Sequence, residues 1–248
     1  MATLYNPKIV TDGLVMYLDA ANPSSYPRAG TTWTDISGNN NSGSLINSPT
    51  FDSTSGGNIT LDGISQYIEN SNLRTVGASM GNGFTVSYWI NTTTTTTLSC
   101  IIGIINNNVG MNFGIHLNES TTDVGSVGAT SWYLRDNSGT TTQGYITSVP
   151  IFDGKWHNVV WSCPSTVSIG NVQAYIDTVR YSITVGTNNT LSSFIAFDRP
   201  IAIGARNIRG TIQRWTNAKL ANMMYYTRPL NQQEVLQNFN ATRSRFGV

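Results

Sequence analysis

The segment FTVSYWIN at residues 84–91 decides the fold class of this chain. Its apolar side chains stand at every second position, at Phe84, Val86, Tyr88 and Ile90. Successive side chains of a β-strand point to opposite faces, so a spacing of two predicts a strand with one face against a core.

Comparable short apolar segments lie on both sides of this strand along almost the whole chain. They occupy residues 13–19, 58–62, 66–69, 99–106, 111–117, 131–136, 156–162, 172–177, 201–204 and 220–226. Turn sequences such as Asp62-Gly63 separate them, and residues 22–44, rich in Pro, Gly and Asn, predict a long structured loop. About a dozen short strands at this spacing predict an all-β sandwich or barrel.

One short helix is predicted near the C-terminus. Asn231 can cap it, Glu234 follows three residues later, and apolar side chains such as Val235 and Phe239 recur on one face. We expect this helix to close one end of the sandwich. Since no proline-rich hinge divides the chain, residues 1–248 are predicted to form a single domain.

The composition limits the function classes. Charged residues make up 11% of the chain, against about 25% in ordinary soluble domains, and the net charge is +1. This balance argues against a general binder of polyanions. The charge is uneven, however: residues 199–248 hold eight basic side chains and one acidic one.

Arg206, Arg209 and Arg214 stand in this basic segment and are candidates for docking on an acidic partner. The alternative is that these arginines point to several faces and are simply solvated. A nucleic-acid partner is not expected, because the segment lacks the interleaved aromatic residues of a stacking platform.

Two further features bear on the cellular setting. The first residues lack the basic start and apolar core of a signal peptide, and no apolar stretch approaches the roughly 18 residues of a membrane span. We therefore expect folding in the cytoplasm and no contact with a membrane. Cys100 and Cys163 stand in apolar runs and are expected to be buried thiols, with a disulfide left open.

Several ordered stretches resemble a known family. They are TDGLVMYLDAANPSSYP (11–27), GTTWTDISGNNNSGSL (30–45), ITLDGISQYIE (59–69), FTVSYWINT (84–92), DGKWHNVVWS (153–162) and LANMMYYTRPLNQQEVLQNFNATRSRFG (220–247). In this order they resemble the laminin-G-like, concanavalin A-like jelly-roll domains of tailed-bacteriophage virion proteins. The resemblance implies a two-sheet antiparallel jelly-roll sandwich, in which His157 is a structural histidine.

The same resemblance implies a function. It points to a virion structural protein, a capsid decoration or a neck, tail or fibre component, assembled in the host cytoplasm. Such a protein acts through contacts with other virion proteins and with copies of itself in a homo-oligomer. The alternative is a carbohydrate-binding adhesin that contacts glycans of the host surface.

Catalysis is not expected. Glycosidases of this fold carry a Glu-x-Asp-x-(x)-Glu pattern on one strand, because retaining chemistry needs two carboxyl groups about 5–5.5 Å apart. The only glutamates are Glu69, Glu119 and Glu234, and none has an aspartate two residues away. His116 and His157 likewise stand outside any triad or zinc pattern.

A metal site is not predicted, although Ca²⁺ at the sandwich rim stays open. Asp123, Asp136 and Asp198 are the loop-adjacent candidates, but no D-x-D-x-D cluster is present. The resemblance implies an acidic residue in the closing strand, where this chain reads KLANMM.

Aromatic residues near loops or strand ends are the candidates for stacking on sugar rings. We single out Trp132, Tyr133 and Trp215, with Trp33 and Tyr145 in similar places. Trp89, Trp156 and Trp161 stand within predicted strands and are expected in the core.

Overall fold

A computed structural model of the chain describes residues 8–95, 98–106, 112–119 and 125–248, with the backbone alone at 119 and 125–127. The strands within these residues are β1 (Leu14–Asp19), β2 (Thr32–Trp33), β3 (Gly43–Ile46), β4 (Thr50–Asp52), β5 (Asn58–Asp62), β6 (Tyr67–Asn70), β7 (Phe84–Asn91), β8 (Ser99–Ile105), β9 (Asn112–Glu119), β10 (Gly125–Arg135), β11 (Thr141–Ile146), β12 (Trp156–Cys163), β13 (Gln173–Ile176), β14 (Val179–Tyr181), β15 (Thr184–Asn188), β16 (Ile201–Ile203), β17 (Arg206–Ile208), β18 (Thr211–Gln213) and β19 (Asn217–Tyr226). One α-helix, α1, spans Gln232–Thr242. Short 3₁₀ segments occupy Thr54–Gly56, Leu73–Asn82, Pro150–Phe152, Ile169–Asn171 and Arg243–Phe246.

These strands form two sheets. The first sheet has the order β14-β13-β12-β7-β19-β5-β4, and β1 also pairs with β19. The second sheet has the order β15-β11-β10-β9-β8-β16-β6-β3-β2, with the β17–β18 hairpin attached to β8. All pairs are antiparallel except β17 with β8, which is parallel. The predicted all-β, two-sheet antiparallel sandwich is thus confirmed, with this one parallel pair as an addition.

The core between the sheets is rich in aromatic residues. Phe84 stacks on Tyr225 at 5.9 Å and on Trp132 at 6.2 Å, and it meets Phe113 edge-on. Tyr225 and Phe84 come from the first sheet, and Trp132 and Phe113 from the second. Full burial of such a side chain stabilises a fold by about 1.5–3 kcal/mol. The aromatic residues therefore hold the two sheets together.

The alternation predicted for residues 84–91 is confirmed. Phe84, Val86, Tyr88 and Ile90 all belong to the core between the sheets. The side chains between them are buried as well, and Trp89, the largest of these, is only 1% exposed. This strand is therefore covered on both faces, although its sequence predicts one covered face.

The second cover of the first sheet is the helix. The predicted cap is confirmed, because the Asn231 side chain accepts from the Glu234 backbone and Glu234 accepts from the Asn231 backbone. Val235 packs in a cluster of outward-facing residues that includes Val160 and Met224. The helix therefore lies across the outer face of the first sheet, and the prediction that it closes one end of the sandwich is wrong.

The segment after the helix continues this cover. The Trp89 indole donates a hydrogen bond to the Thr242 hydroxyl (2.9 Å), and its ring stacks on Phe246 at 4.0 Å. Arg245 bonds Asp19 at 2.7 Å and the Gly57 carbonyl at 3.0 Å. The closing segment is thus fastened to the opening strand of the chain.

Cys100 and Cys163 are buried thiols, as predicted, and they do not form a disulfide with each other. Burial raises the pKa of the Cys163 thiol well above its usual value. Among the helices formed by the described residues, none has the length and apolar character needed to span a membrane.

Candidate functional site

The outer face of the second sheet gathers polar and aromatic side chains on β10 and β11. Trp132 and Leu134 point into the core, so Tyr133 between them points outward. The register sets Tyr133 opposite Gln143, and Tyr145 two residues further along β11. Arg135 follows Tyr133 on the same face. We call these four residues, Tyr133, Arg135, Gln143 and Tyr145, the tyrosine face.

All four side chains of the tyrosine face are half-buried. Directly opposed residues of antiparallel strands have Cβ atoms about 4.5–5.5 Å apart, and diagonal neighbours about 7–8 Å apart. Two phenol groups and one carboxamide are thus neighbours on this face. Arg135 donates from Nε to the Gly139 carbonyl at 3.1 Å, which fixes the position of its guanidinium.

His116 and Arg206 border this face on its β8 side. Arg206 Nη1 lies 3.4 Å from His116 Nε2. A Cβ atom at Gly114 would collide with the His116 ring, and one at Gly103 would lie 3.1 Å from Arg206 Cγ. The two glycines therefore leave room for the His116 ring and for the aliphatic part of the Arg206 side chain.

The prediction that Trp132 contacts a sugar is wrong. Its side chain is 0% exposed and stacks on Phe84 in the core, so it cannot contact a sugar. The sequence placed it at the start of a strand beginning at residue 131, but β10 begins at Gly125. Trp132 consequently lies well inside the strand, where the inward face is sealed. Trp33, in a similar predicted place, is also 0% exposed.

Tyr133 is on the tyrosine face, and Trp215 lies beyond its β8 border. The Arg214 carbonyl accepts from the Cys100 backbone at 2.9 Å, and the Thr216 hydroxyl donates to the Cys100 carbonyl at 2.7 Å. Cys100 is opposite His116 in the register. Trp215 is half-buried. It lies beside β8, and β8 and β9 therefore separate it from Tyr133 on β10.

The predicted arginine trio is not one exposed docking surface. Arg209 is exposed at the tip of the β17–β18 hairpin, and Arg214 is half-buried. Arg206 is only 8% exposed, which corrects its assignment as a docking residue. The cause is the pairing of β17 with β8, which lays Arg206 against His116.

His157 has the structural role that the resemblance implies. Its Nδ1 lies 2.6 Å from Asp177 Oδ2 and its Nε2 lies 3.0 Å from Asp153 Oδ1, so it ties the turn before β12 to the β13–β14 hairpin. Burial lowers the pKa of His157, but the hydrogen bonds and charges of Asp177 and Asp153 outweigh it. The net pKa is therefore raised above its usual value.

The calcium candidates do not converge in the part of the chain that is described. Asp123 lies outside the described residues, and Asp198 is exposed. Asp136 is 0% exposed, and its two carboxylate oxygens accept bonds from the chain itself. Among the described side chains, no three histidine, cysteine or acidic groups come together as metal ligands.

Two antiparallel sheets packed around a shared core define a concanavalin A-like jelly-roll sandwich. The chain belongs to the Concanavalin A-like lectin/glucanases superfamily, whose family model matches residues 62–236. No curated protein matches the sequence.

Solved structures with the same fold include three toxin domains. The receptor binding domain of botulinum neurotoxin C/D mosaic serotype aligns with a TM-score of 0.66 at 13% identity, over 93% of this chain and 51% of that one. The binding domain of Paraclostridial Mosquitocidal Protein 1 gives 0.66 at 16%, over 92% and 52%. The binding domain of botulinum neurotoxin DC in complex with SialylT gives 0.63 at 15%, over 93% and 52%. This chain spans about half the length of these domains, and at such identities the likeness shows the fold.

Proposed function

We propose that this protein is a non-catalytic carbohydrate-binding domain and that the tyrosine face contacts the sugar. The observation that carries the proposal is the register of β10 and β11, which sets Tyr133 directly opposite Gln143 and places Tyr145 on the same face two residues further along β11. Aromatic rings stack on the C–H faces of sugars, while carboxamide and guanidinium groups bond the hydroxyls. The binding domain of botulinum neurotoxin DC, which has the same fold, is solved in complex with SialylT, and this supports the ligand class.

The absence of catalysis is part of the proposal. A glucanase of this superfamily would need two carboxyl groups across a sugar-binding groove. Glu69 is on the outer face of the second sheet, but its cross-strand neighbours are Ser44 and Ala202. Glu234 is engaged at the start of α1. Incubation with polysaccharides should release no reducing ends, and any turnover would contradict this part.

A glycan array of bacterial-surface and animal glycans tests the binding. The strongest oligosaccharide is then titrated by calorimetry into the wild-type protein and the Tyr133→Ala and Tyr145→Ala variants. Each loss of a stacking ring should weaken binding about three- to tenfold. No array signal, or wild-type affinity in both variants, would refute the proposal.

Tyr67→Ala is the matched control. Tyr67 is also half-buried and on the outer face of the second sheet, since Ile68 beside it is in the core. It lies four strands away from Tyr133, about 19 Å at the usual strand spacing. The affinity for a di- or trisaccharide bound at the tyrosine face should therefore be the same in Tyr67→Ala as in the wild type.

We propose a bacteriophage virion as the setting in which this domain acts, as a decoration, neck, tail or fibre component that can form homo-oligomers. The support is the resemblance of residues 11–45 and 220–247 to such proteins. β1 and β19 pair in the first sheet, and Val10 bonds Asn238 of the overlying helix at 2.8 Å. Contacts with other virion proteins on that side would leave the tyrosine face free. Detection of the protein in purified particles tests this setting, and its absence from them would contradict it.

A further inference from the structure

A second polar groove lies on the opposite side of the sandwich, on the outer face of the first sheet. It runs between the first turn of α1 and the β13–β14 hairpin and encloses about 580 Å³. The helix packs on outward-facing residues of β1, β12 and β19, on Tyr175 of β13 and on Trp89 of β7, and it leaves the rest of the β13–β14 hairpin open. The groove is therefore the uncovered remainder of a face that is otherwise buried.

The floor of the groove is fixed by strand register. Gln173 is directly opposite Ser162, and Arg180 is directly opposite Tyr175, so all four side chains share the outer face. The Tyr175 hydroxyl donates to Gln173 Oε1 at 2.6 Å. Because this bond holds the carboxamide oxygen, the NH₂ group of Gln173 is left as a donor toward the groove.

The wall formed by the start of the helix is rigid. The Leu230 backbone donates to the Thr85 hydroxyl at 2.9 Å, and Ser162 donates to the Leu230 carbonyl at 2.8 Å. Asn231 and Gln232 follow on the groove side of this anchored loop. Such preorganisation lowers the entropic cost of holding a ligand.

The charge in the groove is not balanced at every position. Arg228 is compensated by Asp12 at 2.7 Å and by Glu234 at 2.6 Å. Arg180 is exposed and forms no ion pair with any other described residue. A cation beside a carboxamide donor and hydroxyl groups is the setting in which a carboxylate on a sugar binds well.

We propose that this groove is a second saccharide site, selective for an acidic sugar whose carboxylate faces Arg180. The sugar hydroxyls bond the Gln173 amide and Asn231, and the apolar edges of Pro164 and Pro229 line the rim. This site is separate from the tyrosine face, because the two lie on the outer faces of different sheets. A chain with both sites can link two glycans.

The probes are trigalacturonate and galactotriose, which differ by their C6 carboxylates. The full chain is titrated with each while the backbone and side-chain amide signals are followed by nuclear magnetic resonance. Trigalacturonate should shift the Gln173 and Asn231 side-chain signals and bind at least about tenfold more tightly than galactotriose. Shifts confined to other surfaces, or no preference between the probes, would overturn the proposal.

Two variants sharpen the test. Arg180→Gln should remove the preference for trigalacturonate, and Gln173→Glu keeps the acceptor for Tyr175 but repels the carboxylate. Arg74→Gln, an exposed arginine outside the groove, is the control and should bind like the wild type. The Tyr133→Ala/Tyr145→Ala double variant should keep the groove signals, so a failure at the tyrosine face is distinguished from a failure here.

Discussion

The buried carboxylate of Asp136 offers the sharpest test of how the second sheet is held to its neighbouring loop. Oδ1 accepts from the Ser138 hydroxyl at 2.6 Å and from the Thr140 backbone at 3.0 Å. Oδ2 accepts from the backbone of Ser192 at 3.0 Å and of Ser193 at 3.2 Å. One side chain thus closes the β10–β11 hairpin and fastens a loop 56 residues away.

Asp136→Asn changes one oxygen to an NH₂ group with almost no change in volume. If the remaining oxygen keeps the bonds within the hairpin, the NH₂ group faces the two N–H groups of Ser192 and Ser193. A hydrogen bond to a charged acceptor contributes about 1.5–3 kcal/mol. We therefore expect the free energy of unfolding to fall by about 3–5 kcal/mol, a large share of the roughly 5–15 kcal/mol typical of a domain.

The same site has a defined pH dependence. Burial alone would raise the pKa of Asp136, but the hydrogen bonds from Ser138, Ser192, Ser193 and Thr140 outweigh it and hold the pKa below its usual value. A lowered pKa means that the stabilisation is complete above the unfolded value of about 3.9 and is lost as the pH falls through the folded value. The difference between wild type and Asp136→Asn should therefore shrink in acid.

Urea unfolding followed by tryptophan fluorescence, at pH 7 and at pH 3, measures both effects. Ser138→Ala is the control, because it removes one exposed donor to the same carboxylate and should cost about 1 kcal/mol. Amide hydrogen exchange at Ser192 and Ser193 should quicken in Asp136→Asn. A variant within about 1 kcal/mol of wild type at pH 7, with unchanged exchange, would refute the reasoning.

Three further changes probe other parts of the fold. His157→Ala should destabilise the protein more at pH 5.5 than at pH 9. The pKa of His157 is raised in the folded protein, so its stabilisation is present below the pKa of the unfolded chain and is lost as the pH rises through the pKa of the folded protein. Urea unfolding midpoints at the two pH values measure this difference. Gly114→Ala should cost about 1–3 kcal/mol, since the new methyl group collides with the His116 ring, and thermal unfolding would detect it. Phe246→Ala should lower the free energy of unfolding by about 1–3 kcal/mol, because the stacking on Trp89 is lost. The tryptophan fluorescence of the folded protein should change as well, and an unchanged spectrum would contradict the predicted contact.

Short apolar segments along the chain were enough to predict the longer core strands such as β7, β12 and β19, but not β11, β14, β15 or the β17–β18 hairpin. Phe84 and Ile90 lie in the core, and Asn231 caps the helix with Glu234, all as local rules require. The pairing of β12 with β7, by contrast, joins strands that β8 to β11 separate along the chain, so the order of apolar segments does not predict it. Local sequence reports the alternation of faces, because alternation depends only on backbone geometry.

Neighbouring Trp132 and Tyr133 show where that information ends. Both are aromatic residues in one predicted strand, and the sequence offered both as sugar contacts. Their fates are opposite because successive side chains of a strand point to opposite faces, and the first sheet, through Phe84, covers the face that carries Trp132. Arg206 is likewise buried by a partner that is distant in sequence, His116.

The sequence by itself thus determined the class of fold and the capped helix, while it left a disulfide between Cys100 and Cys163 open. Only the tertiary structure decided which face each strand turns inward and that α1 covers the first sheet, leaving the tyrosine face and the groove open. The physical reason is that exposure depends on which strand or helix lies above a side chain. In an antiparallel sandwich those neighbours come from distant parts of the chain.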